Sequence, residues 1–509
     1  MNWKPSLIRK VLVANRGEIA NRVFQTCREF GIRSVAVYSD ADADSVHRYA
    51  ADESVRLGPA PVSESYLNVD AILAAAVQTG ADSVHPGYGF LSENAAFARA
   101  VEAAGLRFVG PTPDQIAAMG DKVNAREFMR RAGVPVIPGS EAAVSSLSEL
   151  RSVAEGVGFP LLVKAAGGGG GKGIRRIDRA EELDSAFERA TSEARSAFGD
   201  ARVYLERYVH PARHVEAQIL GDGLGGALFL GERECSLQRK HQKLVEETPS
   251  PVVDETVRGR IREAALAGVR ALRYRGAGTM EFLYDDARRE FYFLEMNTRL
   301  QVEHPVTEMV TGLDLVAEQL RIAEGLDVSL PEEPVRRGHA IEFRIYAEDP
   351  YRGFSPSTGR IGSLRLPHAP FTRIDAALRR GTEVTPYYDP LLAKAIAWGG
   401  TREVALRRLE ALLQRVRIGG IHTTLPLGLD ICRWDDFRSA RFSTSSLEDY
   451  LRREVAAGAA PEVTVQLAAI LARGLLTGKR ATATSSGPTS TDPRESWKQT
   501  ARNESVRRF

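Results

Sequence analysis

The sequence predicts a mixed protein of the α/β and α+β kind whose N-terminal part is a doubly wound parallel sheet. Short apolar runs such as KVLVAN, SVAVYS and LRFVG alternate with segments of helical periodicity such as RGEIANRVFQTCREFG. Strands that alternate with helices in this way form parallel sheets covered by helices on both faces. The dinucleotide fingerprint GxGxxG is absent after the first strand, where the chain reads ANRGEIA. A nicotinamide-binding domain is therefore not supported.

Composition and length set the broad class of the protein. The 509 residues are 43% hydrophobic and 26% charged, and the 68 basic and 66 acidic residues leave a net charge of +2. A chain of this length divides into several domains, and a balanced charge gives no indication of binding to nucleic acid or a membrane. The cysteines Cys27, Cys235 and Cys432 are far apart, which argues against a disulfide framework or a zinc site. The most apolar helical stretch, VQLAAILARGLL, is too short to span a bilayer, so we expect a cytoplasmic protein.

Changes in segment character predict three folded units and a tail. The first, at 1–115, holds the parallel sheet, and the second, at 116–333, includes a lid at about 134–209. The third unit, at 334–455, is richer in β-type segments. The last part, 456–509, is polar, rich in Ser and Thr and poor in core residues, so we expect it to be disordered.

A predicted hairpin in the second unit carries two facing carboxylates. The runs TMEFLY and EFYFLEMN flank the turn DDARR, and a register in which Leu283 faces Phe293 places Glu281 opposite Glu295. Like charges only ~5 Å apart across two strands are destabilising, so this arrangement favours a cation between them. Asn297 points to the same side of its strand as Glu295. Two carboxylates and an amide give an oxygen-only site suited to Mg²⁺, although a solvated sheet face is the alternative.

A glycine loop upstream is typical of phosphate binding. Gly168, Gly169 and Gly170 lie in a run of glycines between the strand that carries Lys164 and a second strand that begins at Ile174. Backbone N–H groups of such a loop can approach phosphate oxygens closely, and Lys164 can neutralise their charge. No Walker A motif is present, so a flap over phosphates is favoured over a helix cradle. A flexible hairpin tip is the alternative.

Several other polar residues are candidates that spacing alone does not settle. The segment SLQRKHQK carries Gln238, His241 and Lys243, which by themselves are typical of a solvated face but beside a nucleotide can bind ribose and phosphate. Asn297, Arg299, Gln301 and Glu303 follow at a spacing of two and can line one edge of an extended segment, where an Arg and a Glu suggest a small anion and a base.

Many segments, taken together and in this order, resemble the biotin carboxylase family of the ATP-grasp superfamily, from about Lys10 to Leu451. They include HPGYGFLSEN, MGDK, KAAGGGGGKG, RHVEAQ, ERECSLQRKHQK, FLEMNTRLQVEHPVTE, FRIYAEDP and YYDPLLAK. The resemblance implies an N-terminal Rossmann-like domain, an ATP-grasp domain with a glycine-rich lid and a C-terminal β-rich biotin carboxylase domain. It also implies a reaction in which MgATP, bicarbonate and carrier-bound biotin give carboxybiotin, ADP and phosphate.

The resemblance assigns expected roles to individual residues. Lys122, Lys164 and the lid glycines Gly168, Gly169 and Gly170 would contact ATP phosphates, Glu206 would lie at the adenine edge, and His214, Gln238 and His241 would line the nucleotide pocket. Glu281, Glu295 and Asn297 would hold Mg²⁺ or Mn²⁺, and Lys243 would face the phosphates and bicarbonate. Arg299, Gln301 and the backbone of Val302 would bind bicarbonate, Glu303 would be its general base, and Arg344 would stabilise the enolate-like ureido group of biotin.

The resemblance also implies partners, and two other functions remain as alternatives. The 509 residues contain no Ala-Met-Lys-Met carrier motif, so we expect biotin on a separate carrier protein, together with a carboxyltransferase subunit and a homodimer. One alternative is another ATP-grasp ligase that joins a carboxylate to an amine. The other is a regulatory paralogue that only binds nucleotide, which would be expected to lack Glu281, Glu295, Lys243 or Arg344. All four residues are present.

Overall fold

The computed structural model of the chain describes residues 3–140, 143–144, 146–165, 174–198, 202–240, 242–328 and 333–456. The predicted lid glycines Gly168, Gly169 and Gly170, the site candidate His241 and positions 457–509, which hold nearly all of the predicted tail, lie outside the described residues.

A five-stranded parallel sheet in the order β3-β2-β1-β4-β5 forms the N-terminal part of the fold. Its elements are β1 Lys10–Val13, α1 Gly17–Glu29, β2 Arg33–Ser39, α2 Val46–Ala50, β3 Glu53–Gly58, α3 Val69–Thr79, β4 Ser83–His85, α4 Ala95–Ala103, β5 Arg107–Phe108 and α5 Pro113–Gly120. β1 is the central strand and pairs with β2 on one side and with β4 on the other, so the sheet extends on both sides of β1. The predicted doubly wound sheet is confirmed.

The centre of this sheet is buried on both faces, which explains the apolar runs of β1 and β2, whereas the edge strand β3 begins with alternating half-buried and exposed residues. Val11 and Val13 of β1 pack in one cluster with Phe24 of α1. Leu12, which points to the opposite face, packs with Ile72 of α3. The helices begin where the sequence supplies caps: the Thr112 side chain and Gln115 form a reciprocal capping box at α5.

The middle of the chain forms a small sheet and most of a large one. Its elements are α6 Lys122–Arg131, α7 Leu147–Val157, β6 Leu161–Ala165, β7 Ile174–Ile177, α8 Leu183–Phe198, β8 Val203–Arg207, β9 Arg213–Asp222, β10 Ala227–Arg239, β11 Gln242–Thr248, α9 Glu255–Leu272, β12 Arg275–Asp285, β13 Glu290–Asn297, α10 His304–Thr311 and α11 Leu315–Ala323. Strands β7-β6-β8 form the small antiparallel sheet within the predicted lid. The antiparallel pair β10 and β11 carries most of the segment LFLGERECSLQRKHQKLVEE.

Some of the remaining strands extend the large sheet, and the others form three separate two-stranded sheets. The remaining elements are β14 His339–Tyr346, β15 Glu348–Asp349, β16 Ser355–Pro356, β17 Gly359–Arg360, β18 Ser363–Arg365, β19 Thr372–Ala376, β20 Glu383–Val384, β21 Leu391–Gly399, α12 Arg402–Leu413, β22 Arg417–Gly419, α13 Leu425–Arg433, α14 Asp435–Arg438 and α15 Ser446–Ala456. The large sheet has eight strands in the order β13-β12-β9-β10-β11-β14-β21-β19. Antiparallel pairing of β11 with β14 therefore joins strands from both sides of position 334 into one surface.

The predicted hairpin register is correct at the carboxylates and wrong beyond them. Glu281 pairs with Glu295 as expected, but Phe282 pairs with Phe293, so Leu294 forms a bulge and Leu283 faces Tyr292. The Phe293 amide donates to the Pro135 carbonyl at 2.7 Å. The ladder is interrupted there because this contact draws Phe293 toward a neighbouring segment.

The expected extended segment after Asn297 is not a strand. β13 ends at Asn297, and Glu303 is the N-cap of α10 with φ −82° and ψ 10°. Pro305 at the second position of this helix favours that start, because its missing N–H costs nothing there. The turn brings Gln301 and Glu303 back toward the hairpin. A straight strand would have placed these two residues farther from it. Among the helices of the described residues, none is both long and apolar enough to cross a membrane.

Candidate active site

Most of the predicted site residues line a single cavity of about 1220 Å³. The predicted residues on its wall are Lys122, Lys164, Glu206, His214, Gln238, Lys243, Glu281, Glu295, Asn297, Arg299, Gln301, Val302 and Arg344. Glu303 is completely buried at the edge of this set and contacts two of its members, Lys243 and Arg344. The structure therefore brings together residues from six strands of the large sheet, the small sheet and α6.

Lys243 on β11 lies at the centre of three buried carboxylates. Its Nζ is 2.6 Å from Glu216 Oε2, 2.9 Å from Glu281 Oε1 and 2.7 Å from Glu303 Oε1. Glu216 comes from β9, Glu281 from β12 and Glu303 from the start of α10. One ammonium group thus holds the predicted metal ligand and the predicted base in a single cluster.

Burial and charge act in opposite directions on the pKa values of this cluster. Burial alone would lower the pKa of Lys243, but its carboxylate neighbours raise that pKa well above the ordinary value. Burial alone would raise the pKa of Glu303, but Lys243, Arg344 and Arg233 lower it well below the ordinary value. Lys243 is therefore a cation and Glu303 an anion at neutral pH.

Glu281 is the second residue of the site that contacts several polar side chains at once. Its Oε2 lies 2.8 Å from His214 Nε2. Its Oε1 accepts hydrogen bonds from Asn297 Nδ2 at 2.9 Å and Gln301 Nε2 at 3.1 Å, besides the contact with Lys243. Burial alone would raise the Glu281 pKa, but Lys243 and His214 hold it far below the ordinary value. The same pairing raises the pKa of His214, against the effect of burial.

The hairpin carboxylates fit a divalent cation chemically. Glu281 and Glu295 face each other in register, and the Asn297 side chain is already bonded to Glu281. Glu295 is about one-third exposed, and its contact is the half-exposed Lys122 ammonium at 2.9 Å. Both carboxylates thus contact cations, and carboxylate oxygens are ligands that Mg²⁺ prefers. The amide oxygen of Asn297 accepts from Arg299 Nη2 at 3.0 Å, so it would have to turn to reach a metal.

The end of the cavity that is predicted to bind nucleotide lies beside the small sheet. Lys164 on β6 forms an ion pair with Glu206 on the adjacent strand β8. Arg126 on α6, which the sequence did not single out, also reaches Glu206, at 3.3 Å. Gln238 and Lys243 line the same wall as a directly paired couple of β10 and β11. This end presents two cations and a carboxylate to a ligand.

The residues that are predicted to bind bicarbonate lie on the turn between β13 and α10. Arg299 Nη1 donates to Gln301 Oε1 at 3.1 Å, and Arg299 Nε donates to Glu93 Oε2 at 2.8 Å. The Val302 carbonyl accepts from Lys394 Nζ at 2.9 Å. These contacts fix the turn from both sides.

Arg344 on β14 closes the site opposite the hairpin. Its Nη2 donates to Glu303 Oε2 at 2.9 Å, and its Nη1 donates to the Tyr346 hydroxyl at 3.2 Å. The backbone next to it is fixed by Thr424, whose hydroxyl donates to the Arg344 carbonyl at 3.1 Å. Arg344 was a candidate in the sequence through the family resemblance alone, and the structure puts it against the predicted base.

Sequence reasoning missed two residues at the centre of the site. Glu216 and Arg233 form a fully buried ion pair at 2.5 Å, and Arg233 Nη1 also donates to Gln218 and Thr307. A signal was available, because Glu216 lies two residues after His214 on β9 and therefore on the same face. Arg233 carried no such signal, since its partners come from other strands and from α10.

Family models match three consecutive parts of the chain. Residues 7–116 match the N-terminal domain of biotin carboxylase. Residues 121–331 match the ATP-binding domain of the carbamoyl-phosphate synthase L chain, and residues 342–449 match the C-terminal domain of biotin carboxylase.

Curated relatives are similar over nearly their whole length. Biotin carboxylase 1 of Bacillus subtilis is 48% identical over 445 residues, which cover 87% of this chain and 99% of the relative. Biotin carboxylase of Haemophilus influenzae is 49% identical over 447 residues, with coverage of 87% and 99%.

Solved structures agree with the predicted three-part fold, which is confirmed. A biotin carboxylase from Campylobacter jejuni, in a complex described as β-γ-ATP, superposes with a TM-score of 0.82 at 42% identity, covering 87% of this chain and 99% of that one. The biotin carboxylase domain dimer of Hydrogenobacter thermophilus 2-oxoglutarate carboxylase, bound to MgADP, ADP and bicarbonate, gives 0.81 at 44% identity, with coverage of 89% and 99%. The chain therefore belongs to the biotin carboxylase family.

Proposed function

We propose that this chain is an ATP-dependent biotin carboxylase that uses MgATP and bicarbonate to carboxylate biotin on a carrier protein. The observation that carries the proposal is the Lys243 cluster, in which one ammonium group joins Glu281 of the hairpin to Glu303, beside Arg344. A site for metal and phosphate is thus continuous with a site that holds a base and an anion-binding arginine. Chemistry that couples ATP cleavage to activation of bicarbonate needs this continuity.

Glu303 is the proposed base for bicarbonate. Bicarbonate is a weak nucleophile until its proton is removed, and Glu303 is ionised and fully buried beside the anion-binding turn. Its pKa is depressed by Lys243 and Arg344 in the substrate-free protein. When these cations turn toward substrate charges, the Glu303 pKa rises and the carboxylate becomes a stronger base.

The phosphates and the metal are proposed to lie between the hairpin and the small sheet. Lys122, Lys164 and Lys243 supply positive charge around the γ-phosphate, where negative charge develops during transfer. Mg²⁺ held by Glu281 and Glu295, with Asn297 close by, would neutralise phosphate charge when bound. Deprotonated bicarbonate then forms a bond to the γ-phosphorus, the bond to the β-phosphate oxygen breaks, and ADP leaves.

Arg344 is proposed to serve the second half of the reaction. Carboxyphosphate gives CO₂ and phosphate when its C–O bond breaks, and the phosphate takes the ureido N–H proton of biotin. The resulting enolate-like oxygen needs a cation, and the Arg344 guanidinium lies next to Glu303. Because carboxyphosphate hydrolyses readily in water, exclusion of water by the lid is part of the proposal.

We also propose that the biotinyl carrier is another protein, that a carboxyltransferase consumes the product, and that the chain forms a homodimer. Support for the dimer comes from the Hydrogenobacter relative, whose biotin carboxylase domain is described as a dimer. The downstream acceptor is a property of the transferase, and an acyl-CoA is the expected class.

The purified protein is expected to release ADP from MgATP only with bicarbonate and to do so faster when free biotin is added. Carboxybiotin should form from labelled bicarbonate, because free biotin carries the same ureido group as the carrier-bound form. A coupled ADP assay and trapping of labelled product measure both effects. ADP release that depends on an amino acid or another carboxylate, with none from bicarbonate, would identify a different ligase.

A further inference from the structure

Four buried charges on one face of the large sheet lie beneath the site, and two of them are carboxylates directly opposite each other. Glu246 of β11 is paired in register with Glu342 of β14, and Arg344 of β14 is paired with Lys394 of β21. Residues two apart on a strand share a face, so all four side chains are on the same side. Like charges therefore face each other across strands, which is destabilising if all are ionised.

Among the described residues, none supplies Glu342 with a cation at ion-pair distance or with a hydrogen-bond donor. The residue is completely buried, and neither of its carboxylate oxygens accepts a hydrogen bond among the described residues. The nearest cation on β21, Lys394, is engaged elsewhere: its Nζ donates to the Val302 carbonyl at 2.9 Å and lies 3.2 Å from Glu18. An ionised carboxylate without a partner is costly in such a place, whereas a protonated one is tolerated.

Glu246, by contrast, has a cation against it. Its Oε1 lies 2.5 Å from Arg344 Nη2, and the same nitrogen lies 2.9 Å from Glu303 Oε2. The contact between Arg344 and Glu246 is a close ion pair between two buried side chains. Arg344 is thus held between a carboxylate on the sheet and the proposed base.

The charged surroundings agree with a proton on this pair. Four charged groups face the Glu246–Glu342 pair: Lys243 on β11, Arg344 on β14, Lys394 on β21 and Glu303 before α10. Three further titratable groups interact with Lys394: Asp375 of β19, Glu18 of α1 and His304 of α10. Burial raises the pKa of Glu342 well above its ordinary value. Burial also raises the pKa of Glu246, to about 7, although Arg344 partly offsets it.

We propose that Glu246 and Glu342 hold one proton between them and that this singly charged pair positions Arg344 for the carboxylation of biotin, an inference that rests on the proposed function. With one proton present, Arg344 is anchored by one carboxylate and keeps N–H groups for Glu303 and the biotin oxygen. Loss of the proton adds a second negative charge behind Arg344 and draws the guanidinium toward the sheet. The pair is a positioning device, since neither carboxylate lines the cavity.

Three glutamine variants test the proposal. Glu342→Gln is neutral and nearly isosteric with a protonated Glu342, so its kcat for biotin carboxylation at neutral pH should stay within about threefold of wild type. Glu246→Gln removes the anchor and should lower that kcat by about 10- to 100-fold while leaving the KM for ATP unchanged. Glu247→Gln is the matched control: Glu247 neighbours Glu246 on β11, is equally buried, and is fully paired with Arg402 and His339. It should lower thermal stability and leave the pH profile of kcat unchanged.

The pH profile and the infrared spectrum decide the outcome. The alkaline decline of wild-type kcat should move to higher pH in Glu342→Gln, because the second negative charge can no longer form. A profile that superimposes on that of wild type would overturn the proposal, as would an equal kcat loss in Glu342→Gln and Glu246→Gln.

Wild-type protein at neutral pH should also show a protonated-carboxyl infrared band that Glu342→Gln lacks, and an absent wild-type band would overturn the proposal even if a variant failed to fold. Absence of biotin-stimulated turnover in wild type would refute the proposed function instead, since the infrared measurement needs no activity.

Discussion

Replacing Glu303 by glutamine is expected to reduce bicarbonate-dependent ATP cleavage by about 10³-fold, because general-base catalysis contributes roughly this much. Glutamine keeps the shape of the side chain but cannot accept the proton of bicarbonate. ATP affinity should change little, since Glu303 touches Lys243 and Arg344 rather than the Lys164–Glu206 end of the cavity. Steady-state ADP release and calorimetric titration with ATP measure the two effects separately.

Glu308→Gln is a suitable control for the Glu303 variant. Glu308 lies on the same helix, is also buried and is paired with Arg22 and Arg373, but it does not line the cavity. Its variant should lose stability and keep most turnover. Wild-type turnover in Glu303→Gln would remove Glu303 as the base.

Because the Glu303 pKa is held far below its ordinary value, the kcat/KM profile of wild type should show no acid limb from this group near pH 4.5.

The hairpin shows what local sequence could and could not predict. Alternating aromatic residues and the turn predicted both strands and the Glu281–Glu295 pairing, because these depend on residues close in the chain. The bulge at Leu294 was missed because its cause, the bond from Phe293 to Pro135, involves a distant segment. The doubly wound sheet was predictable for the same reason as the hairpin, since each strand and helix there carries its own pattern.

The centre of the site depends on pairing between distant strands, which no local pattern specifies. Lys243 on β11 reaches Glu216 on β9 and Glu281 on β12, although β10 and β9 lie between β11 and β12 in the large sheet. The spacing of two from Asn297 to Glu303 predicted that these residues lie together along one edge of an extended segment. They do lie close together, but because the chain turns after Asn297 and α10 begins after Glu303. The pairing of Glu246 with Glu342 could not be predicted from the sequence, because it forms where strands from two predicted units pair with each other.

Replacing Lys243 by methionine is expected to abolish turnover and to destabilise the fold by about 3–5 kcal/mol at neutral pH, the typical effect of breaking a buried ion pair. Methionine nearly preserves the length and volume of the lysine stem. It leaves Glu216, Glu281 and Glu303 close together without their shared cation. The loss should therefore come from charge rather than from packing.

The pH dependence separates this explanation from a packing defect. In wild type the depressed pKa values of Glu281 and Glu303 contribute stability above the ordinary carboxyl pKa, and this contribution is lost as pH falls. Without Lys243 the same carboxyl groups, crowded and buried, have raised pKa values, so the folded variant binds more protons than the unfolded chain. Its stability should then fall as pH rises, and the difference in Tm from wild type should widen between about pH 5 and pH 8.

Lys122→Met is the matched control for this measurement. Lys122 forms an ion pair with Glu295, and both side chains are substantially exposed, so solvent screens the interaction. Its variant should show almost the same Tm as wild type across the pH range while binding ATP more weakly. A Tm difference for Lys243→Met that stays constant with pH would contradict the electrostatic account, because a cavity or a clash costs the same free energy whatever the state of the carboxyl groups. A difference that shrinks toward acid pH would establish Lys243 as the cation that makes three facing carboxylates compatible with a folded site.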